Sequence, residues 1–147
     1  SKEIIAAMNK IQSQSNTSTS SISMAAAVEA LEGPQEFIKA HNEAFLRRRD
    51  FVVNALNSID GINCLTPQGA FYVYPTCKGV IGKETPDGNK ILNDEDFMNY
   101  LLESEGIAGV HGAAFGLSPY FRLSYATSDD TLKDACSRIK RACEKLK

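Results

Sequence analysis

The segment FRLSYATS, residues 121–128, places an arginine inside an otherwise apolar alternating run. Phe121, Leu123 and Tyr125 alternate with Arg122, Ser124 and Ala126, the period of two that marks a strand with one face in a core. An arginine in such a setting needs a partner, because burying an unpaired charge is costly. Its fork of N–H donors matches a carboxylate in bidentate geometry. Two partners fit. One is an Asp or Glu of the chain itself, forming an internal salt bridge. The other is the carboxylate of a ligand, for which the small Ser124 and Ala126 beside the arginine leave room. Spacing alone leaves both open.

Other chemistry-bearing residues give weaker signals. The loop CKGVIGKET, residues 77–85, follows a strand pattern and contains Gly-Lys, but it fails as a phosphate loop. The position that requires glycine is Cys77, Glu84 follows Lys83, and Pro86-Asp87-Gly88 forbids the helix that must come next. Cys64, Cys77, Cys136 and Cys143 show no CxxC spacing, so neither a zinc knuckle nor a redox pair is expected. Buried, reduced thiols in a cytoplasmic protein are the expectation. His41 and His111 have no ligand spacing with them, and no metal site is expected. PQGAFYVYP, residues 67–75, alternates Phe71 and Val73 with Tyr72 and Tyr74, so that one set packs in a core and the other lines a cleft or packs as well. VHGAAFG, residues 110–116, brackets small residues with Gly112 and Gly116, the pattern of a tight turn.

Bulk composition narrows the function classes. The 147 residues are 43% hydrophobic and 23% charged, with a net charge of −2, an ordinary globular balance. Nothing in that charge favours nucleic acid or an anionic membrane. No apolar run approaches the roughly 20 residues of a membrane span, and no signal-peptide pattern opens the chain. Ser1-Lys2-Glu3 leads straight into a helical pattern, as expected of a segment from within a longer protein.

The elements that must position Arg122 follow from periodicity. Ile4, Ile5, Met8 and Ile11 predict an amphipathic helix to about Gln12. SQSNTSTSSIS, residues 13–23, reads either as a flexible linker or as an ordered loop rich in hydrogen-bonding side chains. MAAAVEALE, residues 24–32, predicts a helix ending at Gly33, and Pro34 starts the next. That next helix reaches about Ile59, with Phe37, His41, Phe45, Val52, Leu56 and Ile59 inward and RRRD, residues 47–50, mostly solvated. At about 37 Å it is longer than a small domain needs, which suggests a connector. INCLT and GAFYVYPT predict two strands. Asn93 caps a helix that ends at Gly106, IAGVHG and FRLSYA predict strands, and Ser128 caps a last helix with Leu132, Ala135, Cys136, Ile139, Ala142, Cys143 and Leu146 inward. From Pro34 onward the pattern is α/β.

QSQSNTS, EALEGPQEFI, RRRDFVVNALNSIDGINCLTPQGAFYVYP, HGAAFG and FRLSYATSDDTLKDA occur in that order. Together they resemble the C-terminal part of the fold-type I aminotransferases that depend on pyridoxal 5'-phosphate, in particular the bacterial aspartate aminotransferases. The resemblance covers essentially the whole chain. It implies that residues 1–33 are the tail of a large cofactor-binding domain, 34–59 a long connecting helix and 60–147 a small C-terminal α/β domain. Arg122 matches the arginine of the family's RxSYA strand, which binds the substrate α-carboxylate. Ser15 and Asn16 match a segment near the dimer interface, although Thr17 stands where the family usually has proline. His111 and Ala113 also depart from common family residues.

The resemblance further implies an activity of the full-length enzyme: L-aspartate and 2-oxoglutarate converted to oxaloacetate and L-glutamate, in a homodimer. Related aminotransferases of aromatic or prephenate specificity, and a non-catalytic binding module, are the alternatives. The family's cofactor-holding lysine and most phosphate ligands have no match here. No catalytic and no cofactor-binding residue is therefore assigned, and the chain alone is expected to be inactive and not to hold the cofactor. Its faces that match the large domain's packing surfaces are expected to be exposed and to promote self-association.

Overall fold

The computed structural model describes residues 1–16 and 18–147. They form two compact units, Ser1–Lys39 and Ala40–Lys147.

The first unit is helical. Helix α1, Lys2–Ser15, starts at Ser1, whose hydroxyl accepts the Ile4 N–H at 3.3 Å. It extends beyond the expected end at Gln12 because the hydroxyls of Ser13 and Ser15 donate back to the carbonyls of Lys10 and Ile11, the way serine is accommodated inside a helix. Helix α2, Ser21–Glu32, also begins earlier than expected. The polar stretch thus shrinks to residues 16–20, of which Thr17 lies outside the described residues. Neither helix buries a residue. Ile4, Ile5, Met8, Ile11, Ile22, Met24, Val28 and Leu31 are all exposed.

Helix α3, Glu36–Asn57, begins in the first unit and runs into the second. Val52, Val53 and Leu56 on its C-terminal half are buried, as is Ile59 just beyond, while Phe37 is exposed and Phe45 half-buried. His41, expected near the core, is also exposed. The RRRD stretch carries three ion-paired arginines. Arg47 and Arg48 both bind Asp129, with Arg48 Nε at 2.8 Å, and Arg49 donates to the Pro67 carbonyl at 3.3 Å. Arg47 and Asp50 remain exposed, as expected, while Arg48 and Arg49 are half-buried against the start of the last helix and the 67–70 loop.

The sheet is small: β1, Tyr72–Val73, β2, Val110–His111, and β3, Phe121–Ser124, in the order β1-β3-β2 and antiparallel throughout. INCLT does not form a strand. Asn63 makes a single bridge to Thr76, and the Asn57 side chain takes the next backbone groups, accepting the Cys64 N–H at 2.7 Å and donating to the Cys64 carbonyl at 2.9 Å. The 61–79 region is held instead by close backbone approach, where a Cβ on Gly61 would sit 2.8 Å from the Gly79 carbonyl carbon.

Helix α4, Asp94–Glu105, is capped by Asn93, whose side chain accepts the Asp96 N–H at 2.9 Å, and stops at Gly106 in the left-handed region. Helix α5, Asp129–Glu144, is capped by Ser128 and buries Leu132, Cys136, Ile139, Ala142 and Cys143 on one stripe, as the heptad-like spacing predicts. Phe97 of α4 meets Phe121 of β3 edge to face at 5.5 Å, with both rings fully buried. At the far end of α4, the buried Glu105 receives Arg141 and Lys145 of α5 and the following turn. All four cysteines are free and buried, as expected, and burial pushes their thiols up to about 11 or 12. Among the described residues no helix is long and apolar enough to cross a membrane.

Candidate functional site

Arg122 sits on the central strand of the sheet. Its neighbours in sequence, Phe121 and Leu123, face the core side, so the pleat turns Arg122 to the opposite face. The register Tyr72↔Ser124 and Val73↔Leu123 places Tyr74 opposite Arg122 on that same face, and Val110 of β2 pairs with Arg122 on the other flank. The alternation in PQGAFYVYP separates in the same way. Val73 and Pro75 are buried, and Tyr72 and Tyr74 are half-buried on the arginine's side.

The guanidinium lies against two aromatic rings. Its Cζ is 4.5 Å from the centroid of Tyr72 and 4.5 Å from that of Phe115, each a cation–π contact. The internal salt bridge does not form. Arg47, Arg48, Arg49, Arg138 and Arg141 each have a carboxylate partner. Arg122 alone among the described arginines has none. A planar cation resting on aromatic faces keeps its N–H edge available for a flat anion. The arrangement is that of a half-built carboxylate site, with cation and walls in place.

Phe115 arrives from a 3-10 turn, Gly112–Phe115, which follows β2 and ends at Gly116 in the left-handed region. This turn needs glycine at 112, where a Cβ would come within 2.7 Å of the Tyr120 carbonyl oxygen. Tyr74 braces the turn. Its hydroxyl donates to the Gly112 carbonyl at 3.1 Å, with the Leu117 carbonyl at 3.4 Å, and its ring stacks on Tyr120 at 5.6 Å. Burial raises the Tyr74 pKa, Asp94's charge adds to the rise, and Arg122 opposes it. Below the turn, Asp94 accepts the Ala113 N–H at 2.8 Å and the Ser118 hydroxyl. Burial pushes the Asp94 carboxyl up, but these donors, with the amides of Asp94 itself and Gly112, outweigh it and hold the pKa below the usual value.

The other expected site residues lie in the first unit. Ser15 is the last residue of α1, its hydroxyl bound to the Ile11 carbonyl at 2.8 Å, and Asn16 is the C-cap, its N–H bound to the Gln12 carbonyl at 3.0 Å. Both are exposed. Sequence patterning singles out Arg122 but not Phe115, Asp94 and Ser118, which the structure groups around it. Asp94 reads as one of three acidic residues favouring a helix N-terminus. Nothing in its local sequence signals a bond to residues 19 and 24 positions away.

An antiparallel sheet backed by helices thus carries, on its open face, an arginine with no carboxylate partner. The family model for aminotransferase class I and II matches residues 1–139, and the chain belongs to that family. It is 56% identical over 145 residues to the aspartate aminotransferase of Rhizobium meliloti strain 1021, covering 99% of this chain and 35% of that protein. It is also 56% identical over 144 residues to the aspartate/prephenate aminotransferase of Cereibacter sphaeroides, covering 98% and 36%. The crystal structure of the aspartate aminotransferase from Rhizobium meliloti superimposes with a TM-score of 0.92 over 99% of this chain and 36% of that one. The α/β fold matches the C-terminal part of fold-type I aminotransferases. The chain spans about a third of the length of the relatives it matches.

Proposed function

We propose that this chain supplies the substrate-carboxylate grip of an aspartate aminotransferase, which transfers the amino group of L-aspartate to 2-oxoglutarate to give oxaloacetate and L-glutamate. The observation that carries this is Arg122. It is the one described arginine without a carboxylate partner, held by Tyr72 and Phe115 on the open face of the sheet. Arg122 takes the substrate's α-carboxylate in a two-pronged hydrogen bond, which fixes the orientation of Cα toward the reacting groups. Relatives at 56% identity carry aspartate and aspartate/prephenate aminotransferase names, which supports the amino-acid substrate class and leaves prephenate as the second reading.

Pyridoxal 5'-phosphate supplies the amino-group chemistry in this family, but the residues of this chain do not fit a holder for it. Lys83, its least exposed lysine, faces Asp60 at 3.5 Å in a loop apart from Arg122. The cofactor-holding residues belong to other parts of the enzyme. In this reading residues 1–33 belong to the large domain, 34–59 connect, and 60–147 form the small domain. Ser15 and Asn16 lie toward the subunit interface of a homodimer. The exposed apolar residues of α1 and α2 support it, since a periodic apolar face without a core of its own belongs against another surface.

The test is a coupled assay of the whole enzyme carrying this chain, with either L-aspartate plus 2-oxoglutarate or L-glutamate plus prephenate, beside an assay of the 147-residue chain alone. Turnover of aspartate by the whole enzyme and none by the chain is expected. Turnover by the chain alone, or none of either substrate by the whole enzyme, would overturn the proposal.

A further inference from the structure

Three acidic residues open α4, and they do different things. Glu95 is exposed, and Asp96 accepts the Leu92 N–H at 2.9 Å at the helix start. Asp94 is turned inward and is 1% exposed. Complementing a helix dipole needs no burial. A carboxylate taken out of water does need donors, and Asp94 has them. One oxygen accepts the Ala113 N–H at 2.8 Å, and the other accepts the Ser118 hydroxyl.

Those two donors stand on the two legs of one loop, and Phe115 lies between them at its tip. The Phe115 ring is 4.5 Å from the Arg122 guanidinium. The same legs accept the Tyr74 hydroxyl, at Gly112 and Leu117, and the Tyr74 ring meets Phe115 edge-on at 6.2 Å. A chain of contacts therefore runs from the buried Asp94 of α4 through an exposed loop, whose Phe115 is 49% exposed, to the half-buried arginine. We propose that Asp94 is a positioning residue for the substrate carboxylate: by tying Ala113 to Ser118 it holds Phe115 against Arg122 and fixes the direction in which the guanidinium edge points. This rests on the reading of Arg122 as the carboxylate-binding residue.

The experiment is a double-mutant cycle in the whole, cofactor-loaded enzyme, reading the dissociation constant of succinate by calorimetry and the KM and kcat for L-aspartate. Asp94→Asn keeps the side-chain shape but replaces one accepting oxygen by an NH2 that faces a donor. Displacing the wall of a binding group by a fraction of an ångström to one ångström weakens succinate on the order of tenfold, with the loss in KM rather than kcat. Phe115→Ala gives a similar loss, and the double variant is no worse than the weaker-binding single variant, because Asp94 acts through Phe115. Additive losses, or unchanged succinate affinity in Asp94→Asn, would overturn the proposal. Arg122→Gln runs beside them as a control, and unchanged affinity there refutes the reading of Arg122 itself. Should Asp94→Asn fail to fold, Ser118→Ala replaces it in the cycle. It removes one donor and leaves the carboxylate, so a smaller loss is expected, again non-additive with Phe115→Ala, and an additive one overturns the proposal.

Discussion

Replacing Arg122 by glutamine separates a binding role from a folding role, because the structure assigns the two very different sizes. On the folding side, Arg122 has no internal carboxylate to orphan, so the 3–5 kcal/mol typical of breaking a buried pair does not arise. What is lost is two ring contacts, at 4.5 Å each. At about 0.5–1 kcal/mol per contact for a half-exposed cation, the sum is about 1–2 kcal/mol. On the binding side, a charge-assisted hydrogen bond contributes about 1.5–3 kcal/mol. Counting only one of the two prongs, carboxylate affinity falls by roughly 10- to 150-fold, since each 1.4 kcal/mol is a factor of ten. Arg122→Lys keeps the charge but not the fork, and it falls between glutamine and wild type. Urea denaturation of the chain reads the first quantity, and calorimetric titration of the whole enzyme with succinate reads the second. A stability loss above about 3 kcal/mol together with unchanged succinate affinity would refute the reasoning, for it would make Arg122 a structural residue.

Two further outcomes follow from charge and burial elsewhere. Hydrogen bonds from Arg141, then Lys145, hold Glu105 at about 2, below its ordinary 4.5. A pKa depressed by folding stabilises fully above the ordinary value and is lost as pH falls from about 4.5 toward 2. Arg141→Met is therefore less stable than wild type at pH 6, and the gap in urea midpoint closes by pH 2. A gap independent of pH would show that Arg141 acts through packing alone. The four buried thiols, pushed up to about 11 or 12, are almost wholly protonated at pH 8, and only the thiolate reacts. Iodoacetamide should leave the native chain unmodified and label it only after unfolding, as read by intact mass. Rapid native labelling of Cys77 or Cys143 would contradict their burial.

Local physics wrote most of the helices into the sequence. The stripe from Leu132 to Cys143 and the caps at Asn93 and Ser128 lie within a few residues of the groups they serve, so periodicity and capping chemistry place α4 and α5 correctly. The same local chemistry misjudged residues 13–23. Their polar composition predicts a linker or an ordered loop, yet Ser13 and Ser15 bond back to their own helix. INCLT fails for a different reason: after one bridge at Asn63, the side chain of Asn57 captures the Cys64 backbone groups that a ladder would use.

The sequence by itself determined that Arg122 lies on a strand opposite a core-facing Phe121 and Tyr125, because a period of two is a property of adjacent residues. It could not decide who partners the guanidinium. An internal carboxylate and a ligand carboxylate impose the same local pattern. Only the tertiary structure brought Tyr72 and Phe115 to that cation and buried Asp94 beneath the loop that carries Phe115. Those contacts join residues from 7 to 50 positions apart. They form when distant segments share one sheet face and one core, and no local run of residues encodes them.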